Sequence, residues 1–198
     1  MTGQLCLAEV NSRAPTWLVA VTGLVAFAVV AGMWVLTRAA VTIAHEGSHA
    51  LTASAMGGKV DDINIYREGG GLTNFKLEDN NSKLLLVTLA GYLGPPLFGV
   101  CGAVLLSTGR VHATLWLSFF FLVCALFLAK GWYSIVTIVA TGAVIFIMIR
   151  YAGDDTQTFF TYTWIWYLLI GGIAPCSNWP DCGQPGPTTA QMPTSCAS

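Results

Sequence analysis

The order of apolar and polar positions divides the chain into long apolar segments separated by short polar ones. A helix needs about 20 mainly apolar residues to cross roughly 30 Å of hydrocarbon. Six segments approach that length, and we expect each to cross a membrane. They are residues 17–36, 39–56, 84–106, 112–129, 132–149 and 159–173. The first is too long for a signal-peptide core, so we expect it to be retained.

The polar segment after the second apolar stretch predicts a small β-hairpin at the membrane surface. Val60, Ile63 and Ile65 are spaced like a short, half-buried strand. Three glycines at 69–71 indicate a turn, and residues 72–75 indicate the returning strand. The pattern as a whole therefore predicts an all-α polytopic membrane protein with about six transmembrane helices and one small hairpin.

The composition supports a membrane protein and excludes two other classes. Of the 198 residues, 55% are hydrophobic and only 10% are charged, where a soluble domain carries about 25% charged residues. The net charge of −1 excludes a nucleic-acid partner bound by phosphate neutralisation. The many aromatic residues exclude a disordered chain. The expected surroundings are a lipid bilayer.

The distribution of lysine and arginine predicts the orientation in the membrane, because cytoplasmic loops carry an excess of both. With six spans, one side receives six basic residues and the other three. The first set is Arg13, Lys59, Arg67, Lys76, Lys83 and Lys130, and the second is Arg38, Arg110 and Arg150. We expect a multi-pass protein of the plasma membrane with a cytoplasmic N-terminus and a cytoplasmic segment 59–83.

The second apolar segment contains the sequence His45-Glu46-Gly47-Ser48-His49, which fits the pattern H-E-x-x-H. Positions i and i+4 of a helix share one face, so both imidazoles can converge on one zinc ion. Glu46 lies about 100° round the helix from His45, within reach of a water on that ion. Ionisable groups inside an apolar span are energetically costly and usually functional. A polar patch that only packs helices is the weaker interpretation.

Further motifs follow the H-E-x-x-H helix in a recognisable order. They are Gly57-Gly58, the hairpin sequence Gly70-Gly71-Leu72-Thr73, and Ala90-Gly91-Tyr92-Leu93-Gly94-Pro95-Pro96. With these motifs, residues 17–172 resemble the site-2 protease family of membrane-embedded zinc metalloproteases. The resemblance is strongest to the short branch found in actinobacteria.

The resemblance implies hydrolysis of a peptide bond inside or beside the transmembrane segment of a membrane protein substrate. It implies Zn²⁺ as the cofactor, His45 and His49 as its ligands, and Glu46 as the general base. The hairpin could offer an edge strand to an unwound substrate. Substrate-positioning residues would be Gly70, Gly71, Leu72, Thr73, Gly91, Gly94 and Pro95. Alternatively, Gly91, Gly94 and Pro95 only allow close helix packing and bending.

The sequence departs from the family pattern at the third zinc ligand. The family usually supplies an aspartate from an Asp-Gly motif on a later span, but no acidic residue lies within a predicted span after Glu46. Where the short branch tends to carry Arg-Asn-aromatic, this chain has Lys130-Gly131-Trp132-Tyr133. Two alternatives therefore stay open: an inactive relative that binds a membrane partner, and a small transporter whose in-membrane histidines and glutamate relay protons or bind a metal.

The composition changes after residue 173. Residues 1–173 form the expected membrane-embedded, metallopeptidase-like domain. Residues 174–198 are rich in proline, cysteine, threonine and glycine and show no helical period. Another reading frame would encode an amphipathic pattern there, so we interpret this tail as either out of frame or disordered.

Overall fold

The structure, a computed structural model, describes residues 14–67, 69–78 and 80–173. This part of the chain contains five helices and three strands. The helices are α1 (Thr16–Ala55), α2 (Asn81–Ser107), α3 (Val111–Leu128), α4 (Trp132–Tyr151) and α5 (Asp154–Ile173), and the strands are β1 (Lys59–Ile65), β2 (Gly71–Lys76) and β3 (Ala129–Lys130). The predicted helical fold with a hairpin is confirmed, and β3 is an additional strand. The tail 174–198 lies outside the described residues.

Four helical segments are long and apolar enough to cross a membrane. They are Thr16–Met33, Asn81–Ser107, Val111–Leu128 and Trp132–Tyr151. The other two predicted spans, 39–56 and 159–173, are also helical, as the second part of α1 and most of α5. They are less apolar because residues 39–56 include His45, Glu46 and His49, and residues 159–173 include several threonine and tyrosine residues.

Helix α1 bends at Met33, where the backbone leaves helical geometry (φ −125°, ψ 21°). Ala26 before the bend and Val41 after it belong to one apolar cluster with Tyr167 of α5. A straight helix would hold Ala26 and Val41 about 22 Å apart. The bend therefore brings both legs of α1 against α5, the first leg before Met33 and the second leg after it.

The hairpin of β1 and β2 lies along the second leg of α1. It begins just beyond Ala55, at the C-terminal end of that leg. Halfway along, the Thr73 hydroxyl donates to the backbone carbonyl of Glu46 at 3.0 Å. At the hairpin turn, Arg38 Nη2 donates to the carbonyl of Arg67 at 2.9 Å. The hairpin thus follows about 26 Å of helix.

This position bears on two predictions. The hairpin lies beside Glu46, and its residues Ile63 and Ile65 are buried, at 2% and 4% exposed. Its location at the membrane surface stays a prediction. Arg38 and Arg67, counted on opposite sides, are hydrogen bonded. Placing them together gives five basic residues against four if Arg67 changes side and seven against two if Arg38 does, so the cytoplasmic N-terminus stays a prediction.

Asp62 joins the three strands, which are ordered β2-β1-β3 with β3 parallel to β1. Its Oδ1 accepts hydrogen bonds from Asn64 and Asn74, each at 2.7 Å. Its Oδ2 accepts one from Lys130 Nζ at 2.9 Å. The hydrogen bond from Lys130 holds the pKa of Asp62 below its ordinary value. Asp62 therefore ties the hairpin to the connection between α3 and α4.

We expect Asp62→Asn to lower the melting temperature in detergent by about 4 °C at pH 7, because the amide leaves Lys130 without a carboxylate partner. Asp61→Asn is the matched control, since the Asp61 side chain is 32% exposed against 10% for Asp62, and surface pairs such as Asp61 with Lys76 contribute little. The depressed pKa of Asp62 means that its stabilisation is present above the ordinary value of 3.8 and is lost as the pH falls below it. If the melting temperatures of the wild type and Asp62→Asn differ by the same amount at pH 7 and at about pH 2.5, this explanation is wrong.

We expect a cysteine at Ser82 and a cysteine at Gly153 to react with a membrane-impermeant label from opposite sides. Three of the apolar helices, α2, α3 and α4, separate the two positions, and each crossing changes the side. The measurement uses a background in which the native cysteines are replaced. Labelling of both positions from the same side would mean that one of these helices does not cross.

Candidate metal centre

His45 and His49 lie one turn apart on the second leg of α1, with their rings edge to face. Their Nε2 atoms are 3.2 Å apart. Two nitrogens bound to tetrahedral zinc at about 2.0–2.1 Å would be separated by roughly 3.3–3.4 Å. The spacing of the two nitrogens therefore fits a shared zinc ion.

A hydrogen bond to α2 orients the second histidine. His49 Nδ1 lies 2.7 Å from the carbonyl oxygen of Val87. Because a carbonyl only accepts, Nδ1 carries the proton and Nε2 keeps its lone pair. Histidines that bind zinc usually donate their other ring N–H in this way. The hydrogen bond to the backbone of α2 thus leaves the lone pair of His49 Nε2 available to a metal ion.

Gly91 of α2 leaves open the space in front of the two histidines. A methyl group at position 91 would overlap the Nε2 of His49 and would lie 2.8 Å from the Nε2 of His45. Glycine alone keeps this space free for a shared ion. The donor chemistry, the spacing and this cradle all fit zinc.

The other α2 residues singled out by sequence serve close packing. A methyl group at Gly94 would overlap the Ser48 hydroxyl of α1, and Pro95 is buried against Gly172 of α5. Helix α2 continues from Asn81 to Ser107 without a break, so these contacts favour the interpretation that Gly94 and Pro95 allow close helix packing. Pro95 also lacks an N–H, so it cannot donate a hydrogen bond to the Gly91 carbonyl one turn before it.

Glu46 points to the hairpin and is 3% exposed. The Thr73 hydroxyl donates to its Oε2 at 2.7 Å. A methyl group at Gly71 would lie 2.6 Å from Glu46 Cγ and 2.8 Å from Oε1, so β2 approaches this carboxylate closely. Of the hairpin residues singled out by sequence, Gly71 and Thr73 therefore contact Glu46. Gly70 lies in the turn with φ +78°, and Leu72 pairs with Asn64.

Among residues 14–67, 69–78 and 80–173, no group of three histidine, cysteine, aspartate or glutamate side chains could hold a metal ion. The described side chains of these types thus supply two ligands and no third. Glu68 and Asp79 lie outside the described residues. The sequence also gave no signal for the roles of Val87, which orients His49 through its backbone, and of Lys130, which anchors the hairpin through Asp62.

The comparison with protein families finds a match that includes these elements. The family model described as peptidase M50B-like matches residues 17–189, which is most of the chain. No curated protein and no solved structure matches it. The assignment to the short actinobacterial branch stays a prediction. The chain belongs to the peptidase M50B-like family, and so to the site-2 protease family.

Proposed function

We propose that the protein is a zinc-dependent intramembrane endopeptidase that hydrolyses a peptide bond in or beside the span of a membrane protein substrate. The observation that carries this proposal is the 3.2 Å spacing of the two Nε2 atoms, with a buried glutamate between them in sequence. The family match supports a protease of this class.

His45 and His49 would hold the metal. Zinc bound there would supply a Lewis acid that polarises the scissile carbonyl and lowers the pKa of water to near 7. Glu46 would accept a proton from the attacking water and deliver it to the leaving amine nitrogen. Oε2 accepts the Thr73 hydrogen bond, so we assign the proton transfer to Oε1.

The free edge of the sheet supports the binding of an extended substrate. Strand β1 is flanked by β2 and β3, whereas no strand within the described residues pairs with the outer side of β2. Main-chain hydrogen bonds to an edge strand hold a peptide extended with little dependence on its sequence. A transmembrane helix must unwind before hydrolysis, and β2 lies against Glu46, where an unwound segment is needed.

The test uses proteoliposomes that contain the purified protein and a panel of single-span reporters with Gly-Pro interruptions in the span. We expect cleavage within or beside the span, located by mass spectrometry. The cleavage should stop when a chelator removes zinc and should resume when zinc is restored. Cleavage that continues after complete removal of zinc would overturn the proposal.

The second candidate is an inactive relative that binds a membrane partner, and the absence of a third ligand among the described side chains favours it. The same reporters separate the two functions. If the wild-type protein cleaves none of them but binds one as tightly as the Glu46→Gln variant does, the inactive relative is the correct interpretation.

A further inference from the structure

The side-chain hydroxyl of Thr73 in β2 is hydrogen bonded to Glu46 of α1. Its single hydroxyl hydrogen is shared between two acceptors of Glu46, the carboxylate Oε2 at 2.7 Å and the backbone carbonyl oxygen at 3.0 Å. Its residue surface is only 8% exposed, so water competes weakly for these hydrogen bonds. A single hydroxyl therefore fixes the position of the carboxylate relative to strand β2.

The backbone of Thr73 faces away from β1. In an antiparallel pair, residues alternate between those whose N–H and C=O bond the partner strand and those whose groups point outward. Tyr66 N–H donates to the Gly70 carbonyl at 3.1 Å, so residues 70, 72 and 74 face β1. The Ile65 N–H supports this alternation, because it donates to Ser134 Oγ at 2.8 Å and not to β2.

By this alternation, the N–H and C=O of Gly71 and Thr73 point to the edge of β2 that no described strand pairs with. A peptide strand added at this edge would bond the backbone of Thr73. The side chain of the same residue holds Glu46. Thr73 would thus contact the substrate through its backbone and the proposed base, Glu46, through its side chain.

We propose that Thr73 is a positioning residue that couples the seating of a substrate strand on β2 to the orientation of the Glu46 carboxylate. This proposal rests on the proposed function, since it takes Glu46 as the base. In this proposal the Thr73 hydroxyl bonds the carboxylate of Glu46, and the Thr73 backbone bonds the substrate. The two roles can be separated by substitution of the side chain.

The experiment compares Thr73→Val, which keeps the shape and loses the hydroxyl, with Thr73→Ser, which keeps the hydroxyl. On a cleaved reporter, Thr73→Val should lower kcat by about 10–100-fold, because a misplaced catalytic group costs rate, and should leave KM unchanged, because the backbone is intact. Thr73→Ser should restore most of the kcat. Thr161→Val is the matched control, since Thr161 is 0% exposed and its hydroxyl bonds only the Gln157 carbonyl of its own helix.

An infrared measurement keeps the test independent of activity. The difference spectrum between each protein and its Glu46→Gln counterpart isolates the carboxyl band of Glu46. We expect this band to move in Thr73→Val and to stay in place in Thr73→Ser and Thr161→Val. If no reporter is cleaved by the wild type, the proposed function fails, and the band still decides whether Thr73 holds the carboxylate. An unmoved band, or an active Thr73→Val variant with wild-type kcat, would overturn the proposal.

Discussion

Glu46→Gln should abolish measurable proteolysis while the protein keeps its zinc. The amide has the shape of the carboxylate and still accepts the Thr73 hydrogen bond, but it cannot take the proton from the attacking water. Loss of a general base costs about 10²–10⁴-fold in rate. The measurement is the initial rate of reporter cleavage in proteoliposomes, together with the zinc content of the same preparation.

Glu78→Gln is the matched control for this substitution. Glu78 is an exposed residue that pairs with Lys83 in the segment before α2, so the same chemical change there should leave the rate of cleavage unaltered. A Glu46→Gln variant that cleaves at the wild-type rate would remove Glu46 from the mechanism. Loss of zinc from that variant would instead indicate that Glu46 supports the metal site.

Gly91→Ala should weaken zinc binding by at least about 10–100-fold, the range seen when groups that orient zinc ligands are disturbed. The added methyl group would overlap His49 Nε2 and lie 2.8 Å from His45 Nε2. Alanine favours the helix more than glycine does, so the loss should occur in a folded protein. A calorimetric titration of the metal-free protein with zinc measures this change in affinity.

Gly142→Ala is the matched control for Gly91→Ala. Gly142 lies within α4, and a methyl group there would meet only Phe119 at 4.0 Å. Its zinc affinity should equal that of the wild type. Unchanged affinity in Gly91→Ala would show that zinc does not occupy the space in front of the two histidines.

The sequence predicted the features that depend on local periodicity. Two histidines four residues apart in an apolar helix share one face, and the structure brings His45 and His49 together. The spacing of Val60, Ile63 and Ile65 also predicted a strand, although the three-residue step departs from strict alternation. A bulge between Val60 and Asp62 accounts for that step, since one extra residue shifts the side of the next side chain.

The features that the sequence did not predict depend on contacts between distant segments. Strand β3 has only two residues, too few to carry a pattern, and it forms because Ala129 and Lys130 pair with β1. The path of the hairpin along α1 depends on the Arg38 and Thr73 hydrogen bonds, neither of which leaves a periodic signal. Charge counting therefore placed Arg38 and Arg67 apart although they are in contact.

The most direct test of the central claim is the zinc content of the detergent-purified protein, measured for the wild type and for alanine variants of its three histidines. His112 is the matched control, because it is an exposed residue at the start of α3, away from the pair. We predict about one zinc ion per chain in the wild type and in His112→Ala, and loss of most of the zinc in His45→Ala and in His49→Ala. A low zinc content that is the same in all four proteins would contradict a metal centre at His45 and His49.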